Sequence, residues 1–365
     1  MMRVLQVTPS LSACGGVENY LMNYFRAIDR KKVAFDFLSH DADPAKADFA
    51  DEIRANGGRV YFLPPYTAKN VFSNQKKTEE LFFRHPEYRT VHCHGANFSP
   101  FVFAAAIRFG VSRRILHSHQ AAAADKAWHK LRNLPLLAAG NRRATHRAAC
   151  STLSGEYLFG KRPFTVIPNA VDTARFAFHR ERRSMARLAL GVGNAFVVGH
   201  IGRMCAQKNQ LFLIEVFAAF LRVEPNALLL LAGTGETEPH VRAKAQSLGV
   251  SERVRFLGLR KDTAPLYAAM DAFCLPSLYE GLPVVGVEAQ SAGLPLLVSD
   301  TVTEELGVLS TTKFLSLRRP AEEWAAALAK MRKIKRADTR SAMRQAGFDI
   351  FAEAEKLADF YLSMR

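Results

Sequence analysis

The stretch Glu280-Gly-Leu-Pro-Val-Val-Gly-Val-Glu288 follows the apolar run Ala272-Phe-Cys-Leu275 and leads into a helical pattern. It therefore predicts a turn from a buried strand into a helix, with a carboxylate on each side of the turn. Gly281 lets the backbone come close to a ligand, and Pro283 suits the first helical position, where its missing N–H is not needed. Because free amides at a helix N-terminus bind anions, the turn predicts a site for an anion such as a diphosphate.

The two carboxylates have two interpretations. Glu288 lies about a turn and a half into the helix, too far to bind phosphate, and is suited to accept hydrogen bonds from a pair of sugar hydroxyls. Glu280 could do the same for a second sugar. In the alternative, Glu280 caps the helix and Glu288 is a solvated helix residue. For either carboxylate alone, the alternative is the stronger interpretation.

Length and composition indicate a globular protein. The chain has 365 residues, enough for two compact domains, and 48% of them are hydrophobic. No apolar run approaches the 18 residues of a membrane span, and the first ten residues lack the apolar region of a signal peptide. We therefore expect a cytoplasmic protein. The five cysteines are scattered and form no CxxC pair, so they predict neither a disulfide framework nor a zinc site.

The net charge of +16 is unevenly distributed. Residues 1–168 hold 24 Lys/Arg against 13 Asp/Glu, whereas residues 169–365 hold 26 against 21. We therefore expect the first half of the chain to contact an anionic partner. Nucleic acid, a membrane surface and a phosphorylated substrate all fit such a charge.

Strand and helix patterns alternate in two series. The strand candidates of the first series are 3–8, 35–38, 59–62, 90–93, 114–117 and 165–167. Those of the second series are 196–201, 227–232, 254–256, 272–275 and 294–298. Two such series predict the α/β class, with two doubly wound, Rossmann-like domains facing across a cleft. The Arg-rich residues 172–193 predict a connector, and the tail 349–365 predicts a helix.

Two glycine clusters do not have dinucleotide-binding spacing. Gly15-Gly16 follows the first strand, and Gly233-Thr-Gly235 follows a strand of the second series, but neither forms GxGxxG. A nicotinamide cofactor is therefore not expected. As a phosphate-facing loop, Gly15-Gly16 is weak evidence, because a strand-to-helix turn often needs glycine.

Cations and histidines also lie near strand ends. Arg203 and Lys208 could converge on one anion, although their spacing alone favours two solvated surface residues. His117 and His119 share one face of a strand end, where a structural role and a functional role are about equally expected. His92-Cys93-His94 lacks a further ligand at metal-site spacing, so we interpret it as structural.

Residues 125–147 hold six Lys/Arg and one acid, interleaved with apolar side chains. Pro135 and Gly140 predict a split into two short helices. An ordinary solvated helix and a surface facing an anionic membrane are about equally expected.

The motifs together resemble one enzyme family. EGLPVVGVE is similar to the Glu-x7-Glu motif of the retaining GT-B glycosyltransferases in the large family, family four, that includes glycogen synthase and mannosyltransferases. The likeness covers most of the chain and is closest to the bacterial capsular and exopolysaccharide branch. Its other motifs, in order, are GGVENYLMNY, HSHQ, VIPNAVDTARF, GRMCAQKNQ, LAGTGE, VRFLG and LPSLYEGLPVVGVEAQ.

The resemblance implies an organisation and a reaction. Residues 1–170, joined by the last helix 349–365, would bind the acceptor, and residues 190–345 would bind the nucleotide-sugar, a UDP- or GDP-sugar. A hexose would pass to a hydroxyl of a glycan, which would be lipid-linked as expected for the family's surface-polysaccharide branch, with no nucleic acid involved. Independently of the resemblance, the charge and apolar side chains of residues 125–147 lead to the hypothesis that the first domain docks peripherally on the inner face of an anionic membrane. No metal or other cofactor is implied.

The resemblance also implies residue roles. Arg203 and Lys208 would stabilise the departing diphosphate, Glu280 would hold sugar hydroxyls and His119 would lie beside the anomeric carbon. Glu288 would hold the ribose. The backbone contacts to the donor would come from Gly15, Gly16, Gly281, Leu282 and Val284.

One departure and two alternatives accompany this interpretation. Many family members have a second glycine where this chain has Pro283, which removes one backbone donor. The alternatives are an epimerase or sugar phosphorylase of the same fold, and a non-catalytic nucleotide-sugar or polyanion binder. Glu280, Glu288, Arg203 and Lys208 are all present, which favours the enzyme over the binder.

Overall fold

The computed structural model describes residues 1–13, 15–120 and 127–364, with the backbone alone for 127–132. Within this part, the chain divides into two compact units. The first contains Met1–Asn169 and the C-terminal segment from Ile350, and the second is Ala170–Asp349. No helix among the described residues is both long enough and apolar enough to cross a membrane.

The first unit is built on a seven-stranded parallel sheet with strand order β3-β2-β1-β4-β5-β6-β7. Strands β1 to β7 are Met2–Thr8, Val33–Ser39, Val60–Phe62, Thr90–Cys93, Arg113–Ser118, His146–Ala149 and Thr165–Val166. Helices α1 to α6 are Gly16–Ala27, Ala50–Ala55, Val71–Arg84, Ser99–Arg108, Ala127–Arg143 and Thr152–Phe159.

The second unit has a six-stranded parallel sheet with order β10-β9-β8-β11-β12-β13. Strands β8 to β13 are Phe196–Ile201, Ala227–Ala232, Val254–Phe256, Ala272–Leu275, Leu296–Ser299 and Thr312–Leu315. Helices α7 to α14 are Thr173–Phe176, Arg180–Leu190, Gln210–Leu221, Glu238–Ser247, Ala264–Ala269, Val284–Ser291, Ala321–Met331 and Arg340–Gln345. Helix α15, Ile350–Ser363, belongs to the first unit and packs on α1.

The predicted fold class is confirmed: both units are α/β, with a doubly wound parallel sheet. Helices cover both faces of such a sheet, so its central strands are buried on both sides, and in the second unit these strands consist mostly of apolar residues. The strand Ala227–Ala232 is an example, with all six residues buried. Because every strand runs the same way, the loops at the carboxyl ends of the strands share one edge of each sheet.

The predicted connector at 172–193 is wrong, because the helices α7 and α8 both lie there. Asp172 caps α7 by accepting from the amides of Ala174 and Arg175. On α8, Arg183 and Arg187 pair with Asp271 at 2.7 and 3.1 Å. These long-range ion pairs hold a helix of which only Ala186 is buried.

The predicted split of residues 125–147 is also wrong, because α5 continues through Pro135 and Gly140. A Cβ at position 140 would lie 2.1 Å from Oγ of Ser99, on α4. The glycine therefore permits a close approach of α5 to α4 and does not end the helix.

The core of the second unit supplies a test of its independence. Trp324 on α13 is fully buried, packs edge-on against Phe212 and donates from Nε1 to the carbonyl of Ser316 at 3.2 Å. We expect Trp324→Ala to destabilise this unit by about 3–5 kcal/mol, the usual cost of emptying such a site. Calorimetry should show a lower transition temperature for the second unit and an unchanged one for the first. The control is Leu188→Ala at an exposed position, and an equal loss in both units would contradict the assignment of separate cores.

Candidate functional site

Two loops of the second unit lie side by side because their strands, β8 and β11, are neighbours in the sheet. The amide of Leu278 donates to the carbonyl of Gln207, and the Gln207 side chain donates to the carbonyl of Tyr279. Asn209 donates from its side chain to the carbonyl of Pro276 at 3.1 Å. Three hydrogen bonds thus join the loop that carries Lys208 to the loop that leads to Glu280.

Lys208 and Glu280 form an ion pair across these loops. The distance from Nζ to Oε1 is 2.5 Å, and the two side chains are only 15% and 10% exposed. Gln207 Nε2 lies 3.4 Å from the other carboxylate oxygen. The structure therefore places Glu280 in a nearly buried position, where the charge of Lys208 compensates that of its carboxylate.

Arg203 precedes Lys208 in the same loop and exposes its side chain. The Arg203 carbonyl accepts from the Gln210 side chain at 3.0 Å, which fixes the backbone at the start of the loop. Gly233, with φ of 124°, lets the next loop approach: a Cβ there would lie 2.1 Å from the carbonyl oxygen of Gly202. The glycines of the LAGTGE motif therefore support the Arg203 loop by close backbone packing.

The turn into α12 places Pro283 at the N-cap, one residue before the predicted position, with φ −71° and ψ 114°. Val284 is the first helical residue, so its amide and that of Val285 belong to the turn that lacks intrahelical acceptors. Gly281 and Leu282 are buried just before the cap. A helix thus begins at Val284, just after Glu280, as the sequence predicted.

Glu288 lies on α12 and accepts a hydrogen bond from the Tyr267 hydroxyl at 2.8 Å. Burial raises the pKa of Glu288 from its ordinary 4.5 to about 7, while the Tyr267 hydrogen bond and the charge of Arg175 act in the opposite direction. Tyr267 was missed by sequence reasoning. It lies on α11, twenty-one positions away, and no local pattern connects it with the carboxylate.

In the first unit, Gly15 and Gly16 form the loop that opens α1. Gly15 is the N-cap, and a Cβ on it would lie 1.7 Å from Oε2 of Glu18, whose carboxylate folds back over the loop. Asn19 donates to the carbonyls of Ala13 and Gly15 at 3.1 and 2.8 Å. The loop is thus held in place by its own helix, and Gly15 leaves room for the Glu18 carboxylate.

His119 follows β5 and is half-buried, with its Nε2 2.8 Å from Nδ1 of His94. Its ring stacks on that of His117 at 4.0 Å, as expected for residues that share a strand face. Tyr20 of α1 packs edge-on against both rings. Burial lowers the pKa of His119 to about 3, so the ring is neutral at physiological pH.

His92, His94 and His117 have ring nitrogens within 4.8 Å of one another, and this is the one such group found among the described residues that could hold a metal ion. The nitrogens are hydrogen-bonded within the protein, with the exception of Nε2 of His117. Burial lowers the pKa of all three rings well below the ordinary value. The contacts therefore describe a neutral hydrogen-bonded cluster. The expectation that no metal takes part stays a prediction.

Comparison with known proteins decides the family. Residues 14–175 match the model described as glycosyltransferase family 4, and residues 195–333 match that of glycosyl transferases group 1. A protein of Bacillus subtilis (strain 168) named as the glycosyltransferase EpsF is 31% identical over 376 residues, which is 98% of this chain and 96% of that protein. The chain belongs to the family 4/group 1 GT-B glycosyltransferases. It is therefore a transferase enzyme, and the non-catalytic binder is set aside.

Two further similarities agree with this assignment. The Escherichia coli UDP-Gal:alpha-D-GlcNAc-diphosphoundecaprenol alpha-1,3-galactosyltransferase is 26% identical over 81% of this glycosyltransferase and 78% of its own length. The crystal structure of HepE from Anabaena in complex with UDP and glucose matches with a TM-score of 0.79 at 20% identity, and covers 100% of each chain. The latter similarity supports the GT-B fold.

The raised pKa of Glu288 generates a prediction about pH. A carboxyl whose pKa is higher in the folded state stabilises the fold fully below pH 4.5, and this contribution is lost as the pH rises through about 7. We expect the wild type to lose, between pH 4 and pH 8, on the order of 3 kcal/mol of unfolding free energy relative to Glu288→Gln. Denaturant unfolding at both pH values measures this. The surface variant Glu252→Gln serves as control, and parallel pH profiles of wild type and Glu288→Gln would disprove the buried-carboxyl account.

Proposed function

We propose that this glycosyltransferase moves a hexose, with retention of anomeric configuration, from a nucleotide diphosphate sugar to a hydroxyl of a lipid-linked glycan in surface polysaccharide synthesis. The observation that carries the proposal is the junction of Arg203, Lys208, Glu280 and the N-terminus of α12 in one unit. It combines cations and the positive N-terminal end of a helix for phosphates with carboxylates for hydroxyls.

The donor class is supported from two directions. HepE is in complex with UDP and glucose, and the Escherichia coli relative is named for a UDP-sugar and a diphosphoundecaprenol acceptor. In this chain, Glu288 with its neighbour Tyr267 suits a vicinal pair of ribose hydroxyls, because the Oε2 atom is oriented by the tyrosine. We assign the nucleotide to this carboxylate and the diphosphate to the α12 N-terminus, through Gly281, Leu282 and Val284.

The ion pair defines how the chemical step is assisted. When the bond from the anomeric carbon to the diphosphate breaks, negative charge grows on the departing oxygen. Lys208 turns from its carboxylate toward that charge, and Arg203 adds a planar fork of donors. Glu280 is thereby freed to accept from sugar hydroxyls. The acceptor oxygen bonds to the same face of the anomeric carbon, and its proton passes to the leaving diphosphate.

The first unit is assigned the acceptor and the sugar end of the donor. We propose that Gly15 and Gly16 face the donor diphosphate and that His119 lies beside the anomeric carbon. A neutral His119, as its burial requires, would act through a hydrogen bond and not through charge. Arg203 and Lys208 do the work that a divalent ion does elsewhere, so no metal is needed. The transferase assignment sets the same-fold epimerase aside, and a same-fold sugar phosphorylase is the remaining alternative.

Replacement of Arg203 tests the proposed step. We expect Arg203→Ala to lower kcat by about tenfold to a hundredfold with a smaller change in donor binding, because the charge it stabilises grows only as the bond breaks. Incubation with radiolabelled UDP- and GDP-sugars and a lipid-linked acceptor measures turnover, and titration with the nucleotide measures binding. Arg222→Ala is the control, since this arginine is exposed on the same unit. Equal losses in binding and in kcat/KM, with kcat unchanged, would show that Arg203 only binds.

We further propose that α5 docks the enzyme on an anionic membrane. Arg142 and Arg143 are exposed near its C-terminal end, and Leu134 is 55% exposed on the same helix. Of the segment 125–147, residues 125–126 and the side chains of 127–132 lie outside the described residues. Each basic side chain near such a surface contributes on the order of 1 kcal/mol, so the four that α5 carries, Lys130, Arg132, Arg142 and Arg143, would hold the protein reversibly.

Vesicle co-sedimentation tests this docking. The wild type should pellet with anionic vesicles at low salt and not with neutral ones, because the attraction is electrostatic. Arg142→Glu with Arg143→Glu should remain in solution. The matched control reverses two exposed arginines of the second unit, Arg180→Glu with Arg182→Glu, and should still pellet. If the wild type ignores anionic vesicles, the docking proposal is wrong and the basic surface attracts a phosphorylated acceptor.

A further inference from the structure

Six buried or half-buried side chains of the first unit form one unbranched chain of hydrogen bonds. Strands β1, β4 and β5, the residues directly after them, and the C-terminal helix α15 contribute its members. From one hydrogen-bonded partner to the next, the order is His119, His94, Gln6, Tyr361, His92 and His117. His119 is the half-buried end, and His117, only 1% exposed, is the closed end.

A chain of neutral groups has a direction, because each neutral imidazole donates with one nitrogen and accepts with the other. Gln6 lies in the middle and is the group that sets this direction. It donates from its amide nitrogen on one side and accepts at its amide oxygen on the other. Rotation of this amide by half a turn would exchange donor and acceptor at every link.

The bond lengths around Tyr361 favour one direction. Hydrogen bonds from O–H donors are shorter than those from N–H donors. The Tyr361 oxygen is 2.6 Å from Nδ1 of His92, as expected if the hydroxyl donates there, and 3.1 Å from Nε2 of Gln6, as expected if the amide donates to it. The Gln6 oxygen is thus the acceptor on the opposite side.

The proton positions on the open arm then follow. Gln6 Oε1 accepts from Nε2–H of His94 at 2.8 Å, so Nδ1 of His94 carries no proton. That nitrogen accepts from Nε2–H of His119, also at 2.8 Å. Nδ1 of His119 is consequently a lone pair, and it bonds to none of the described residues.

We infer that Gln6 and Tyr361 are positioning residues that fix the proton of His119 on Nε2, so that Nδ1 faces the substrate as a hydrogen-bond acceptor. Such a lone pair accepts a hydrogen bond from a hydroxyl group. A carbonyl or ionised phosphate oxygen has no proton to donate and cannot be its partner. The assignment of that hydroxyl to the sugar or to the acceptor rests on the proposed function. The proton positions themselves rest on the geometry of the first unit alone.

The direction of donation also follows from Tyr361 through His92 to His117, the closed end. Tyr361 donates to His92, and Nε2–H of His92 donates to Nδ1 of His117 at 3.0 Å. The remaining N–H of His117, on Nε2, is buried without a partner among the described residues. Because burial keeps all the rings neutral, the position of each proton, and not the charge, is the variable.

Imidazole ¹⁵N NMR of the full-length protein tests the inference. Protonated and unprotonated ring nitrogens have well-separated ¹⁵N shifts, and single histidine substitutions assign them. In the wild type we expect His119 to be protonated on Nε2. Gln6→Leu should leave His119 in a mixture of both proton positions, because the amide that sets the direction is gone. His119 protonated on Nδ1 in the wild type, or unchanged shifts in Gln6→Leu, would overturn the inference.

A second variant reverses one arm. A carboxylate only accepts, so Gln6→Glu should make Tyr361 donate to position 6 and move the His117 proton from Nε2 to Nδ1, three hydrogen bonds away. Unchanged His117 shifts in this variant would also overturn the inference. Tyr88→Phe is the control: this buried hydroxyl bonds to Asp36 and not to the chain, and its loss should leave all these shifts in place.

Turnover is measured separately so that the two ideas can fail separately. In Gln6→Leu molecules with His119 protonated on Nδ1, the substrate hydroxyl loses one neutral hydrogen bond, so kcat/KM of this variant should fall by up to about fivefold. Wild-type protein with the expected proton positions but without nucleotide-sugar turnover would overturn the proposed function and uphold this inference.

Discussion

The ion pair of Lys208 with Glu280 is the interaction on which the candidate site in the second unit depends. A nearly buried carboxylate is tolerated only if its charge is compensated, and Lys208 compensates it at 2.5 Å. The cation in turn requires that two loops from neighbouring strands stay in contact. Asn209, the only described non-glycine residue with positive φ, makes the turn that aims Lys208 at its partner. The site is therefore assembled, with its charges balanced, before any ligand arrives.

The two units use opposite chemical means. The second unit presents charged groups and helix amides, which suit the phosphates of a donor. The first unit presents neutral imidazoles whose charge is suppressed by burial. Neutral hydrogen-bonding groups recognise a hydroxyl by the geometry of the hydrogen bond, whereas charged groups attract a phosphate through the electrostatic field. This division is what an enzyme needs if it must hold a charged leaving group and orient uncharged sugar hydroxyls in the same step.

Much of the fold followed from local sequence, for a simple reason. Central strands of a parallel sheet are continuous apolar runs, and Phe196–Ile201, Ala227–Ala232 and Ala272–Leu275 coincide with their predicted bounds. Two strands were missed, His146–Ala149 and Thr312–Leu315, because they lie at or next to a sheet edge and carry polar residues. Helix α8 was missed because its ion pairs with Asp271 are not visible in its own pattern.

The site was only partly predictable. Motifs named the charged residues and His119, yet the partners that determine their state were hidden. Tyr267 beside Glu288 and Tyr361 beside His92 come from helices with ordinary buried tyrosines. Their hydrogen bonds span 21 and 269 positions, and no periodicity reports a contact over such a distance. Sequence patterns thus named the candidate residues, whereas their hydrogen-bond partners required coordinates.

The return of α15 to the first unit has a consequence for biosynthesis. Gln6 is synthesised before the second unit, whereas its partner Tyr361 follows the whole of that unit. At typical elongation rates, residues 170–349 take on the order of ten seconds or more to synthesise. During that interval the nascent first unit lacks the helix that supplies Tyr361 to Gln6 and His92. The hydrogen-bond chain can therefore be completed only after the second unit has been synthesised.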